Sequence, residues 1–375
     1  MLRSFERASS RTVIFGAAIM SAVGMTLTGC GGSDGGAGGD TDTAPAATDG
    51  AESSVKLHTV PEGESIDLAY VTNGIDPFWT IAAAGVKAAA NDLDVNAEVL
   101  MPPKGVVDQK RMMENALARG IDGMAISPID AANQVAFINQ AAKVTNVITQ
   151  DSDAPDANRL CFIGMDNYKA GREAGKLIKE VIPDGGKVMI FVGRLEQLNA
   201  QQRRQGVIDE LIDAPMQDGN NLNVSPPSTP IKGDKYEIIS TLTDNFDYAK
   251  AKSNAEDAMS ANPDLACMVG LFAYNIPNCL QAVEGAGKLN QIKMVSFDEA
   301  DDTLAAIAAG TVHGTVSQQP FEYGYQSIRI LKGLAQGDAS VLPEGGTLEV
   351  PVVLVRKANV EEFTAKLAEL KALGA

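Results

Sequence analysis

From about residue 66 onward, short apolar runs alternate with longer stretches in which apolar residues return every three or four positions. The runs 66–71, 122–126, 146–150, 187–192 and 266–270 have the length and content of strands buried on both faces, as in a parallel sheet. Further strands are expected at 96–101, 160–163, 236–241, 292–297, 313–317 and 349–355. Helical periodicity fills 77–92, 107–119, 131–143, 168–181, 197–212, 247–261, 275–287, 300–309 and 321–334, and an amphipathic helix follows at 359–372. Repeated strand–helix–strand order predicts an α/β fold, with helices covering both faces of parallel sheets. So many strands exceed one compact core, so two doubly wound lobes are expected. The irregular stretch 214–233, with Pro215, Pro226, Pro227 and Pro230, reads as a surface insertion in the second lobe.

The pattern fails at the N-terminus. Arg3, Arg7 and Arg11 precede an apolar run that ends in Leu27-Thr28-Gly29-Cys30, which has the layout of an export signal, residues 1–29. Residues 30–63 are Gly, Asp, Thr, Ala and Ser with few large apolar side chains, and are expected to form a flexible acidic tether.

Composition narrows the chemistry. The formal charge is −17, and loss of the leader's three arginines and one glutamate takes it to −19, the wrong sign for nucleic acid. Only His58 and His313 accompany Cys161, Cys267 and Cys279 beyond the leader, in no zinc-like spacing, so neither a metal nor a cofactor is expected. Cys161 and Cys267 sit in strand-like runs and read as buried small hydrophobes, while an exported chain could also pair Cys267 with Cys279.

In open α/β sheets ligands bind beyond the carboxyl ends of the strands. Those ends are rich in polar and aromatic residues here: 72–79, Ser127-Pro128, 150–153, Asp244-Asn245-Phe246, 272–275, Phe297-Asp298 and Ser317-Gln318. The turn Asn73 to Trp79 stands out, because Asp76 offers a hydroxyl acceptor beside two adjacent rings, Phe78 and Trp79. A sugar asks for that combination, with carboxylates and amides for its hydroxyls and flat rings for its C–H faces. Taken singly, Phe78 and Trp79 could be core residues, and Asp151 or Asp298 a helix cap.

Taken in order, IDLAYVTNGIDPFWT, GIDGMAISPIDA, NVITQDSDAP, FIGMDNYKAGREAGKLI, NAQQRRQGV, MVSFDEADDTLAAIAAGTVHGTVSQQP and VPVVLVRKANV resemble the periplasmic sugar-binding proteins of the ribose-, galactose- and xylose-binding type, over residues 64–358. The resemblance implies two lobes joined by a multi-strand hinge, the first made of 64–165 plus 319–348 and the second of 166–318 plus 349–375. It also implies that Phe78, Trp79 and Phe246 cover the sugar faces, while Asp76, Asp151, Arg203, Asp298 and Gln318 bond hydroxyls and the ring oxygen. Ser127 stands where the ribose branch has an amide and Ser152 where it has an arginine. Within GLFAYNIPN the register is open: Asn275 is the expected amide contact, with Tyr274 and Phe272 as rivals. Leu27 to Cys30 resembles a lipobox, which implies lipid on Cys30.

The function so implied is a monomeric, non-enzymatic, membrane-anchored receptor in the periplasm or on the outer cell surface. It would deliver a monosaccharide to the permease of an ATP-binding-cassette importer. A ligand-sensing lipoprotein for a signalling partner shares these features, and Asp151 with Asp298 could form the carboxylate pair of a glycoside hydrolase. As ligand-holding groups, Arg203 and Asp298 are expected to be dispensable for the stability of their own lobe.

Overall fold

The computed structural model describes residues 56–219 and 221–373; the expected leader, Cys30 and most of the tether lie outside them. The folded part begins earlier than residue 64, correcting the tether boundary. The His58 N–H donates to Asn146 Oδ1 at 3.0 Å, the Val60 N–H donates to the Ala335 carbonyl at 2.8 Å, and Leu57 and Val60 pack on an apolar cluster.

The first sheet is built from β1 (Asp67–Val71), β2 (Asn96–Leu100), β3 (Gly123–Ile126), β4 (Asn146–Gln150) and β5 (Phe162–Gly164). These alternate with α1 (Pro77–Leu93), α2 (Val106–Ala118) and α3 (Ala131–Ala141). The chain then runs through α4 (Asn167–Val181), β6 (Gly186–Val192), α5 (Leu198–Leu211), β7 (Ile231–Lys232), β8 (Tyr236–Thr243), α6 (Tyr248–Ala261), β9 (Leu265–Gly270), α7 (Asn275–Gly285), β10 (Lys293–Phe297), α8 (Asp301–Ala309) and β11 (Gly314–Ser317). It ends with α9 (Pro320–Ala335), β12 (Thr347–Glu349), β13 (Val353–Arg356) and α10 (Val360–Leu373).

Two sheets result, in the orders β12-β5-β4-β3-β1-β2 and β13-β11-β10-β9-β6-β8-β7, parallel except at the edge strands β13 and β7. We call each sheet with its helices a lobe. The chain crosses from the first sheet to the second after β5, returns after β11 to lay α9 on β1, β3 and β4, and crosses again between β12 and β13. The segment 349–355, expected as one strand, is therefore two strands in two sheets. Glu349 still pairs with Gly164 of the first sheet, which moves that lobe boundary beyond 348. Pro351, with no N–H to give a ladder, occupies the crossing. The last helix is not confined to one lobe either: α10 packs on α8 and on α1, with Leu367 in the same apolar cluster as Ile81 and Ala84.

The elements that matter for the crevice are fixed locally. Asp76 caps α1 by accepting the Phe78 N–H at 2.9 Å, with Pro77 at the first helical position, where no N–H is missed. Helices α4 and α5 touch backbone to backbone: a Cβ on Gly171 would lie 2.1 Å from the Arg203 carbonyl oxygen, so only glycine lets α5 approach. That contact sets the depth at which Arg203 enters the lobe. The insertion 214–233 is tied down by buried Arg204, which donates to the Ser225 and Pro226 carbonyls at 2.7 and 3.0 Å. Cys161, Cys267 and Cys279 are all buried and free, so the Cys267–Cys279 pair is not formed.

Candidate ligand-binding cleft

The carboxyl ends of both sheets face each other across a narrow cleft whose free volume is about 30 Å³, far below that of an open small-molecule site, so the two walls stand nearly together. Asp76, Phe78, Trp79 and Asp151 line it from the first lobe, and Phe246, Phe272, Tyr274, Asp298 and Gln318 from the chain that forms the second. The backbone there is unusual. Seven non-glycine residues among those described have a positive φ, and five of them, Asp151, Asn245, Phe246, Asp298 and Gln319, end strands at this edge. Such conformations cost about 1–3 kcal/mol each and collect where a fold must aim a side chain at a function.

Three expected contacts lie behind the wall. Arg203 is fully buried but does not line the cleft: Nε donates to Asn167 Oδ1 at 2.8 Å, Nη1 to the Leu271 carbonyl at 3.0 Å and Nη2 to Gln318 Oε1 at 2.8 Å. Its guanidinium is held between the rings of Phe272 and Phe297, 5.4 and 5.2 Å from their centroids. Ser127 donates its hydroxyl to Asp151 Oδ2 at 2.8 Å. Asn275 donates to Asp244 Oδ2 at 3.0 Å and accepts the Phe272 N–H, so both ends of its amide serve the fold, while its rivals Tyr274 and Phe272 line the cleft.

Two groups escaped the sequence reading. Asn73, only 6% exposed, accepts the Trp79 indole N–H at 3.1 Å and donates to Ser127 and Asp151, both at 3.2 Å, which locks the ring against the carboxylate. It lies in the turn 73–79, where its amide gives a weaker ligand signal in sequence than the carboxylate of Asp76. Tyr248, at the start of α6, donates its hydroxyl across the cleft to Asp76 Oδ2 at 3.1 Å and stacks on Tyr274, ring centroids 4.8 Å apart. Its position, five residues after the end of β8, carries no strand-end signal.

The lobes also meet at Asp151, whose Oδ1 lies 3.7 Å from Arg203 Nη2 and whose Oδ2 accepts from Asn199 at 3.4 Å. A larger, open groove between α1 and β2 also carries polar residues, among them Asp67, Asn91 and Asn96, but no aromatic ring is among its described lining residues, and its Glu98 and Arg119 pair with each other. Chemistry therefore singles out the cleft.

Residues 66–339 match the family model for the periplasmic binding protein domain. The chain belongs to the periplasmic binding protein family. Among curated relatives it is 24% identical over 305 residues to a D-ribose/D-allose-binding protein of Pseudomonas aeruginosa, covering 79% of this chain and 89% of that one. It is 26% identical over 268 residues to the ribose import binding protein RbsB of Haemophilus influenzae, covering 69% and 82%. Among solved structures, a carbohydrate transporter solute-binding protein of Agrobacterium radiobacter, in complex with D-arabinose, superposes with a TM-score of 0.71 at 23% identity, covering 82% of this chain and 99% of that one. The fold is that of type I periplasmic binding proteins.

In this periplasmic binding protein the cleft carboxylates share one electrostatic theme. Burial raises Asp76 and Asp151 above the ordinary carboxylate range, offset in Asp76 by the Phe78 N–H and Tyr248 and in Asp151 by Arg203, Ser127 and Asn199. Asp298 is raised by burial, with Arg203 and the Gln318 amide opposing. Asp244, which accepts from Tyr274 and Asn275 behind the aromatic wall, is raised by burial to about 6. Glu299, next to Asp298, is raised by burial and by the charge of its neighbour.

Proposed function

We propose that this chain is an extracytoplasmic receptor that binds a monosaccharide between its lobes and delivers it to an ATP-binding-cassette importer. The observation that carries the reading is the convergence of Asp76, Asp151, Asp298 and Gln318 with the rings of Phe78, Trp79 and Phe246 in one cleft. Carboxylates and an amide supply hydroxyl partners, and the rings supply flat apolar cover. Relatives named for ribose import and for ribose and allose binding support the same ligand class.

Closure follows from the cross-cleft contacts. Tyr248 to Asp76 and Arg203 to Asp151 form only when the lobes meet, so a sugar touching both walls stabilises the closed state by its differential contacts. An importer that reads the relation between the lobes then distinguishes the loaded receptor. Asp76 beside Trp79 favours a pyranose with an accessible hydroxyl near O4.

The Leu27 to Cys30 lipobox is the basis for placing the receptor on the outer face of a membrane, as a monomer held by lipid on Cys30. A hydrolase role for Asp151 and Asp298 is disfavoured by their bonding: Asp151 holds an ion pair and three hydrogen bonds, and Asp298 accepts from Gln318. The experiment for the transport role is uptake of labelled monosaccharides by a strain lacking this gene. Loss of uptake of a sugar that the purified protein binds, restored by the intact gene, supports delivery; undiminished uptake contradicts it.

A further inference from the structure

The balance of charge on the cleft wall reaches beyond the sugar-receptor reading, on which this inference rests. Three carboxylates line the cavity, Asp76, Asp151 and Asp298, together with five aromatic rings, and no cationic side chain is among the described residues that line it. Arg203 stands behind the wall, 3.7 Å from Asp151, with Nε and both Nη atoms engaged by Asn167, Leu271 and Gln318. Arg194, the other nearby cation, lies over the ring of Phe246, 5.1 Å from its centroid, and against Gly105, also outside the lining. Among the described residues, Asp76 accepts from the Phe78 N–H and the Tyr248 hydroxyl and has no cation within ion-pair distance, while Asp298 accepts from the Gln318 amide and feels the charge of Arg203 only from beyond that distance.

Closing the lobes takes these charges out of water, and desolvation of an ionised carboxylate without a counter-charge is costly. A neutral hydroxyl can hydrogen-bond to such a group but cannot balance it. A protonated amine does both, and against the faces of Trp79 or Phe78 it gains a cation–π attraction worth about 0.5–2 kcal/mol. Behind the lining, beside Asp151, the Ser152 hydroxyl and the Asn199 amide oxygen are buried without a hydrogen-bond partner among the described residues.

We propose that the ligand is a polyol carrying a primary amine, an amino sugar or an aminocyclitol, whose ammonium group sits against the carboxylate–aromatic wall formed by Asp76, Asp298 and Trp79. The ring hydroxyls bond to Gln318 and the remaining carboxylate oxygens, and the amine supplies the counter-charge that the wall lacks.

Calorimetric titration with D-glucosamine, D-galactosamine and D-mannosamine, each beside its parent hexose and its N-acetyl derivative, tests this at a pH where the amine is protonated. At least one amine should bind about tenfold or more tightly than both its partners, a step of about 1.4 kcal/mol. Asp76→Asn, which keeps a side-chain oxygen for the helix cap, should lose most of that preference; a preference unchanged in that variant overturns the assigned wall. If the neutral hexoses bind as tightly as or more tightly than their amines, the inference falls while the sugar receptor stands. If none of these polyols binds, the sugar-receptor reading falls with it.

Discussion

Asp76 and Tyr248, 172 residues apart in the chain, meet across the cleft at 3.1 Å, carboxylate to hydroxyl. One caps the first helix of the first lobe, and the other begins a helix of the second while stacking on Tyr274 in the cleft wall. Such a contact exists only with the lobes together, so it belongs to the energy of closure and not to the stability of either lobe.

Tyr248→Phe keeps the stacked ring and removes the hydroxyl. A hydrogen bond of this kind contributes about 0.5–1.5 kcal/mol, so ligand affinity should fall by about two- to tenfold, while the thermal transition of the unliganded protein stays nearly fixed. An unchanged Kd in calorimetry would show that closure does not use this contact.

Arg203 behaves differently from the expectation drawn from sequence. Within the second lobe its guanidinium donates to Asn167 Oδ1, the Leu271 carbonyl and Gln318 Oε1, so Arg203→Ala leaves buried acceptors without their donor whether or not the lobes are closed. A buried group left unsatisfied costs about 1–3 kcal/mol. The unliganded variant should melt several degrees lower than the parent by calorimetry, and an unshifted transition would contradict the positioning role.

Trp79 is the only tryptophan of the chain, is 3% exposed, and donates its indole N–H to Asn73. Ligand binding should therefore change the emission of a single, identified fluorophore, and Trp79→Phe should abolish that change while weakening binding. A ligand-dependent signal surviving in Trp79→Phe cannot come from tryptophan, and would remove Trp79 from the cleft account.

The acid range gives a signed prediction. Folding raises Asp244 from 3.8 to about 6, so the folded state holds that proton longer than the unfolded state does. Its contribution is complete below about pH 4 and lost as pH rises through about 6, and a rise of that size corresponds to about 3 kcal/mol in all. Asp76, Asp151 and Asp298 move in the same direction. Glu180 and Asp213, lowered by Arg356 and Lys179, act oppositely, as pH falls through their own depressed values. The melting temperature of the unliganded protein should thus decline between about pH 4.5 and 7; a flat or rising profile there would contradict burial as the dominant influence on these carboxylates.

The fold was legible because its signal is periodic: β4 appears at the residues expected for it, and α1 within one residue of its expected end. The exception, 349–355, failed because two short strands on either side of Pro351 read as one apolar run. At the site, sequence located the strand ends but not which side chains the fold would consume. Ser127, Arg203 and Asn275 have the right chemistry in the right places, yet their polar atoms are engaged by Asp151, by Asn167 with Gln318, and by Asp244. Tyr248 could not be found from its own segment, since its role exists only across the cleft.

The measurement that bears most directly on the central claim is calorimetric titration of the unliganded protein with a panel of monosaccharides, amino sugars and cyclitols. The cleft geometry predicts one-to-one binding of at least one of them with a Kd on the order of micromolar or tighter, lost in Asp298→Ala. Binding confined to amino acids or peptides, or sugar binding left intact in Asp298→Ala, would contradict it.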